Sequence, residues 1–277
     1  MLEKYYLIIK KLLFIFSVNP IFFFKRIFFE LKYLILPTPQ SVVSKKINGI
    51  SFEFDFNLSP QMKRMYVGAY QPIITEILKK YLKNGDTFID VGANIGFFTA
   101  IAAGIVGKQG QVHSFEPVLE HFYKLKNLAE NNSQYNITAN QFALGDKEKI
   151  SKIYGNTFIP ALLGEDDKYM TLEVSIRRLD KYIQEKGLNN IKLIKIDVEG
   201  FEFPVLKGME EYFLECSKNG SCPAIVCEVF PGIGYEVKDL FKYMRSFSYY
   251  PFEVLNSHKR IVTEKKRVDD VLFKFCK

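Results

Sequence analysis

The stretch FIDVGANIGFFT, residues 88–99, decides the fold. Phe88, Ile89 and Val91 flank an Asp, and Gly92, Asn94 and Gly96 follow at alternate positions before a second apolar run. That is how a buried strand breaks abruptly into a helix. Glycine permits positive φ and lets a ligand approach without a Cβ in the way. The free N–H groups opening the next helix then face the crevice above the sheet. Taken alone, the same residues also suit a plain strand-to-helix turn.

Working outward, residues 111–117 (QVHSFEP) read as a second short strand ending in Glu116. An acidic residue at that tip accepts hydrogen bonds from both hydroxyls of a ribose. Two features argue against a nicotinamide cofactor. The glycine pattern is DxGxNxG rather than GxGxxG, and Asp90 precedes the turn where dinucleotide sites have no acid. A carboxylate there suits a cationic ligand, such as the amino-acid end of S-adenosylmethionine.

DVGANIGFFT, SFEP, ALGD and IKIDVEGFE, in that order, resemble the FkbM-type family of S-adenosylmethionine-dependent methyltransferases. The resemblance runs from about residue 71 to about residue 231 and leaves out the first fifty or so. It implies an α/β fold, the doubly wound seven-stranded Rossmann-like sheet of class I methyltransferases. It also implies S-adenosylmethionine as cofactor and a sugar hydroxyl of a glycan, glycolipid or secondary metabolite as acceptor. The residues alone indicate only a small hydroxylated acceptor. The cofactor-binding candidates are Asp90, Gly92, Asn94, Gly96 and Glu116, with Asp146 at the tip of a third strand read over residues 137–144, where the adenine of this fold class rests. The family often carries a histidine shortly after a glutamate on the fifth strand; this chain has Phe230 after Glu228, which leaves a histidine-based mechanism without support. Of His113, His121 and His258, the first reads as a packed strand residue.

The second chemical focus is LIKIDVEGFE, residues 193–202. Alternation puts Ile194, Ile196 and Val198 on one face and Lys195, Asp197 and Glu199 on the other, an odd pattern for a strand buried on both sides. Buried charges need partners, and a lysine beside two acids supplies them at the strand end nearest the crevice. Methyl transfer to a hydroxyl is an in-line displacement that needs positioning and removal of one proton. Asp197 is the candidate base, Lys195 lowers the cost of its charge, and Glu199 and Glu202 are candidates for binding acceptor hydroxyls. Two other readings of the cluster stay open: Asp197 and Glu199 holding a divalent ion, and an ion-paired strand end with no chemistry.

A chain of 277 residues, 48% of them hydrophobic, can bury one sizeable α/β core and an appendage. Cys216, Cys222, Cys227 and Cys276 have no CxxC spacing, which speaks against zinc and fits reduced thiols in the cytoplasm. The net charge of +7 is uneven. Residues 1–50 carry eight Lys/Arg against two Glu, a net of +6, and the remainder only +1. The excess therefore bears on what that first segment touches.

The same segment is strongly apolar. Residues 12–24 form an uncharged run of thirteen residues, short of the roughly 17–25 that span a bilayer. No small-x-small cleavage site follows it, so a secretory signal is not indicated. Asn19 as N-cap and Pro20 as first helical residue predict a helix to about Leu36, stopped before Pro37. Phe23, Phe24, Ile27, Phe28, Leu31, Leu34 and Ile35 share one face and Lys25, Arg26, Glu30 and Lys32 the other, with Phe22, Phe29 and Tyr33 among the charges. A basic amphipathic helix of this kind lies in the headgroup plane of a membrane, or packs on the protein's own body or a second subunit. Residues 5–36 are thus a candidate membrane-surface contact, or an interface in a homo-oligomer.

The domain reading is an arm over residues 1–46 and a catalytic body over residues 47–277. Pro37 and Pro39 with SVVSKK read as the linker, and INGISFEFDFNL as an Asn-Gly turn and a strand alternating through Ile50, Phe52, Phe54 and Phe56. Tyr70 and Gln71 line the mouth above the glycine turn if the resemblance holds. Residues 150–178 read as an insertion on the ligand side. A nucleic-acid methyltransferase would need a basic catalytic face and an Asn/Asp-Pro-Pro-aromatic motif, and neither is visible. A catalytically silent binding or assembly protein of the same fold is the alternative, opposed by the intact Asp90, Gly92, Gly96 and Glu116.

Overall fold

The computed structural model describes residues 16–17, 19–154, 171–229, 235–254 and 270–276. The chain opens with helix α1 (Pro20–Ile35), the hairpin β1 (Val42–Ile47) and β2 (Ile50–Asp55), and helices α2 (Gln61–Val67) and α3 (Pro72–Tyr81). The first half of the main sheet follows as β3 (Thr87–Val91), α4 (Phe97–Val106), β4 (Gln111–Phe115), α5 (Leu119–Asn131) and β5 (Asn136–Asn140). Then come β6 (Ala143–Leu144), β7 (Lys149–Tyr154) and β8 (Thr171–Arg177), which form a separate three-stranded sheet. The second half runs through α6 (Leu179–Lys186), β9 (Ile191–Ile196), α7 (Glu202–Lys207), α8 (Glu210–Asn219), β10 (Ala224–Glu228), α9 (Val237–Ser246), β11 (Tyr249–Glu253) and β12 (Asp270–Phe275).

The main sheet has seven strands in the order β11-β12-β10-β9-β3-β4-β5. Neighbours from β10 to β5 pair in parallel, and β12 runs antiparallel to both β10 and β11. After β3 the chain winds outward through β4 and β5; after β9 it winds the other way. The switch point therefore lies between β3 and β9, where an open α/β sheet parts its helices above the strand ends. One face of the sheet buries Ile89, Val91, Ile194, Ile196 and Phe115 against α6–α9. The other buries Phe88, Leu193 and Val226 against α3, α4, α5 and β2. This is the doubly wound class I methyltransferase architecture, and all five residues of β3 are buried in it.

Three expectations change. The third strand does not run over residues 137–144: it stops at Asn140, and Ala143–Leu144 pair with β8 in the small sheet instead. SVVSKK is not a linker, because Val42–Ile47 pairs along its full length with β2 across the turn at Asn48 and Gly49, whose φ values of 49° and 90° suit a tight hairpin. The hairpin thus straddles the expected boundary at residue 46. Finally, the insertion is an antiparallel pair, β7 with β8. Its GNTFIPALLGEDDKY segment lies outside the described residues, as do Phe230 and His258.

Helix α1 begins where the sequence places it. Asn19 caps it, its side chain accepting from the Phe22 amide at 2.9 Å, and Pro20 is its first residue. Its docking face is another matter. Phe22, Phe29 and Tyr33, the aromatics that sit among the charges, turn inward, while the apolar stripe turns out. Among the described residues, no helix is long and apolar enough to cross a membrane.

Candidate active site

The turn after β3 depends on backbone shapes that few residues tolerate. Gly92, Asn94 and Gly96 all have positive φ, at 75°, 52° and 85°. A Cβ on Gly92 would strike the carbonyl oxygen of Asp197, so this glycine lets the tips of β3 and β9 close together. A Cβ on Gly96 would press on Leu128 and Leu125 at 2.6 and 2.9 Å. Gly96 caps α4, and its position lets that helix start directly under the crevice.

Glu116, just past the end of β4, holds this turn in place. Its Oε2 accepts the Asn94 amide at 2.8 Å and its Oε1 the Val118 amide at 2.9 Å. Burial is the main force on its carboxyl and raises it to about 7, against the two amides that favour the charge. Glu116 lines the cavity, and each of its oxygens has acceptor capacity beyond the one amide it binds.

Beneath the floor sits a buried ion network. Lys195 on β9 is 3% exposed, with Nζ 3.1 Å from Asp197 Oδ2 and 3.7 Å from Asp90 Oδ1. Burial works against the ammonium, and the two carboxylates outweigh it, so the lysine stays charged. Asp90 is fully buried. Thr99 donates to its Oδ2 at 2.8 Å, and its Oδ1 has no hydrogen-bond partner beyond the facing lysine. Burial raises the Asp90 carboxyl.

The strand tips carry three more acids. Asp197, Glu199 and Glu228 can each bring a carboxylate oxygen within 4.8 Å of the others. Asp197 and Glu228 lie close enough for their carboxyls to influence each other. Burial first and then Asp197 push the Glu228 carboxyl up to about 9, so it holds a proton at neutral pH. Asp197 is held down by Lys195 despite burial. Glu199, at φ 53°, brings an exposed carboxyl to the same spot. The three acids are within reach of one divalent ion, but Lys195 already occupies Oδ2 of Asp197.

Over these groups opens a cavity of about 460 Å³. Its charged lining is four acids (Glu116, Asp197, Glu199, Glu228) and one lysine (Lys195). Phe97, Phe98 and Tyr70 form an aromatic wall, Tyr70 stacking on Phe98 at 5.9 Å between centroids. Gln71, in a left-handed conformation before Pro72, leaves its buried Oε1 without a partner. This donor set fits a ligand with cationic and hydroxyl groups and disfavours the phosphates of a dinucleotide.

Of the expected site residues, the fold brings Gly92, Asn94, Glu116, Lys195, Asp197 and Glu199 to the cavity wall. Asp90 and Gly96 lie just behind it and shape it. Asp146 does not join them. Because the third strand ends at Asn140, Asp146 falls in the bend between β6 and β7 of the small sheet, where its carbonyl accepts from Arg178 at 3.0 Å. Glu202 is fully buried and turned away: Oε1 accepts the Gly200 and Val198 amides at 2.8 and 3.4 Å, and Oε2 accepts the Tyr235 hydroxyl at 3.0 Å. It fastens the VEG turn, and its full burial away from the cavity wall keeps it from an acceptor hydroxyl. His113 packs against Tyr182, bonded at 2.9 Å, as a strand residue would. Sequence reasoning missed Glu228 and His121 as cavity residues. A lone acid closing the apolar AIVCE strand beside an acidic strand tip was the available signal for Glu228.

Residues 90–254, more than half of the chain, match the family model described as the methyltransferase FkbM domain. Similar proteins include Methyltransferase 1 of Beauveria bassiana, 26% identical over 152 residues that cover 46% of this chain and 59% of the relative. Another is 31-O-demethyl-FK506 methyltransferase FkbM of Streptomyces tacrolimicus, 29% identical over 167 residues covering 47% and 62%. The chain spans about three fifths of the length of these relatives. Among solved structures, methyltransferase FkbM from Methylobacillus flagellatus KT aligns with a TM-score of 0.43 at 16% identity, covering 89% of this chain and 58% of that one.

Proposed function

The chain belongs to the FkbM family of S-adenosylmethionine-dependent methyltransferases, and from that premise we propose that it methylates a hydroxyl of a sugar, in a glycan, glycolipid or secondary metabolite. The observation that carries this reading is the convergence of four carboxylates and one lysine on a crevice whose floor is the DVGANIG turn. When bound, S-adenosylmethionine supplies an electrophilic methyl group on a sulfonium. Glu116 would hold the ribose hydroxyls.

Asp197 would take the acceptor's proton on its carboxylate. Its carboxylate is held ionised by Lys195, so it is a weak base. A weak base suffices, because a hydroxyl becomes acidic only as its oxygen bonds to carbon. Glu228, its carboxyl raised to about 9, would keep its own proton beside Asp197. Glu199, at the rim, would bind a second hydroxyl. An oxygen acceptor is further supported by the Streptomyces relative, whose name specifies an O-demethyl substrate.

Calorimetric titration of the full chain with S-adenosylmethionine and with NAD is the first experiment. The donor alone should bind. Glu116→Ala should weaken it by about 10- to 100-fold, the loss of charge-assisted hydrogen bonds. Asp197→Asn should bind within a few-fold and lose about 10²- to 10⁴-fold in methyl transfer to a hydroxyl acceptor. No donor binding at all would move the assignment to a silent assembly protein.

A further inference from the structure

Helix α1 keeps its polar and mixed side for the protein and offers its hydrocarbon side to the outside. On the inner side Phe22 is buried, the Phe29 ring lies against Gly68, Lys25 meets Glu76 at 3.4 Å, and Glu30 grips Arg64 at 3.0 and 3.2 Å. On the outer side Ile21, Phe24, Phe28, Leu31, Leu34 and Ile35 are each 50–76% exposed. A helix held by burial of its own stripe would be rotated the other way. Six contiguous hydrocarbon side chains facing water mark a surface with another solvent.

Charge identifies that solvent. Beside α1, between it, β1, α2 and α3, lies a second cavity of about 520 Å³ with Phe28, Phe29 and Tyr66 in its walls. Lys25, Lys32, Lys45, Lys46 and Lys79 line it, against Glu76 as its one lining acid. Apolar walls under a lysine rim complement an amphiphile with an anionic head. A second copy of the chain, docked face to face, would oppose the same lysines to each other. A bilayer carrying acidic headgroups satisfies both the hydrocarbon and the charge.

We propose that the protein docks on an anionic bilayer through the outer face of α1, with lipid phosphates received at the lysine rim beside it. Met65, Tyr70 and Phe97 are common walls of this cavity and the crevice, so docking sets the methyl-transfer site next to the lipid. The docking does not depend on what the acceptor is.

The test is sedimentation of the full chain with vesicles of phosphatidylcholine alone and of phosphatidylcholine with phosphatidylglycerol. The acidic vesicles should bring the protein down and the neutral ones should not. The double variant Phe24→Asp/Leu31→Asp should lose at least about tenfold in partitioning while its circular dichroism and S-adenosylmethionine binding are unchanged. Lys45→Glu/Lys46→Glu should lose about fivefold or more for each site, an effect that shrinks as salt rises. Equal binding to neutral vesicles, or full binding by the Phe24/Leu31 variant, would overturn the proposal. So would a lipid-free dimer, seen in sedimentation velocity, that this variant dissolves; the face would then belong to a second copy. Loss of S-adenosylmethionine binding in the unmodified chain would strike the crevice reading and leave the docking untouched.

Discussion

In the crevice, Asp90, Glu116 and Lys195 are charged side chains held at 5% exposure or less; on α1, six hydrocarbon side chains keep at least half their surface in water. Both regions run against the ordinary sorting of residues, and they differ in how the chain answers for it. Every buried charge in the crevice has a partner within the protein, either an opposite charge or a backbone amide. The hydrocarbon face of α1 has ring contacts with its near neighbours, Phe24 with Phe16 and Phe23 and Phe28 with Phe29, and keeps most of its surface in water. A desolvated charge is tolerable only when the fold supplies its compensation in advance. Exposed hydrocarbon can wait for a surface from outside.

The largest expected effect breaks the compensation in the crevice. Lys195→Met leaves Asp90 buried with only Thr99 for company, and should destabilise the chain by about 3–5 kcal/mol in urea unfolding. A loss under about 1 kcal/mol would mean the network is already solvated.

The next effect is pH dependence. Glu116 sits at about 7 in the folded chain against an ordinary 4.5, so between those values the folded state holds a proton the unfolded chain has released. Stability should therefore fall as pH rises through that window, by roughly 3 kcal/mol in all. The raised Glu228 carboxyl carries the decline to higher pH, and the lowered Asp197 acts with the opposite sign only in acid. Thermal unfolding across pH 4–8, compared with Glu116→Gln, reads this directly; the variant should flatten the stretch up to about 7.

On the arm, the effects are smaller because its anchoring is more exposed. Gly68 has φ 85°, and a Cβ there would meet the Phe29 ring at 2.8 Å. Gly68→Ala should cost about 1–2 kcal/mol of local stability and speed proteolysis between α1 and β1, with the sheet's hydrogen exchange unchanged. Smallest is Glu30→Gln. The Glu30 and Arg64 side chains are 38% and 37% exposed, so their pair is worth less than about 1 kcal/mol, read as a shift of a degree or two in Tm.

Much of this was legible in the residues. The β3 turn, the capped start of α1 and the Asn-Gly turn that opens β2 follow from short-range chemistry, and each forms where expected. The site was legible only in part. Asp197, Lys195 and Glu116 were found because a charge inside an apolar strand, or at its tip, is visible in one segment. Glu228 was not, because its meaning depends on the neighbouring strand. Glu202 and Asp146 were misplaced for the same kind of reason. Glu202 is one residue type in one motif, and only the fold turns it onto Gly200 and Tyr235. Asp146 follows a break at Asn140 that apolar alternation continues straight across.

By itself, the sequence determined what local backbone chemistry governs: the glycine turn, the helix caps, the alternation of β2 and β9, and the family to which those motifs belong. Tertiary structure decided what each face meets. It chose which side of α1 docks, since an amphipathic helix names two faces without saying which is inside. It also brought the tips of β9 and β10 together, so that the carboxylates of Asp197 and Glu228 lie within 4.8 Å of each other. Periodicity carries no information on either point. Both depend on contacts between segments far apart in the chain, and there a side chain's energy is set by neighbours it does not have in sequence.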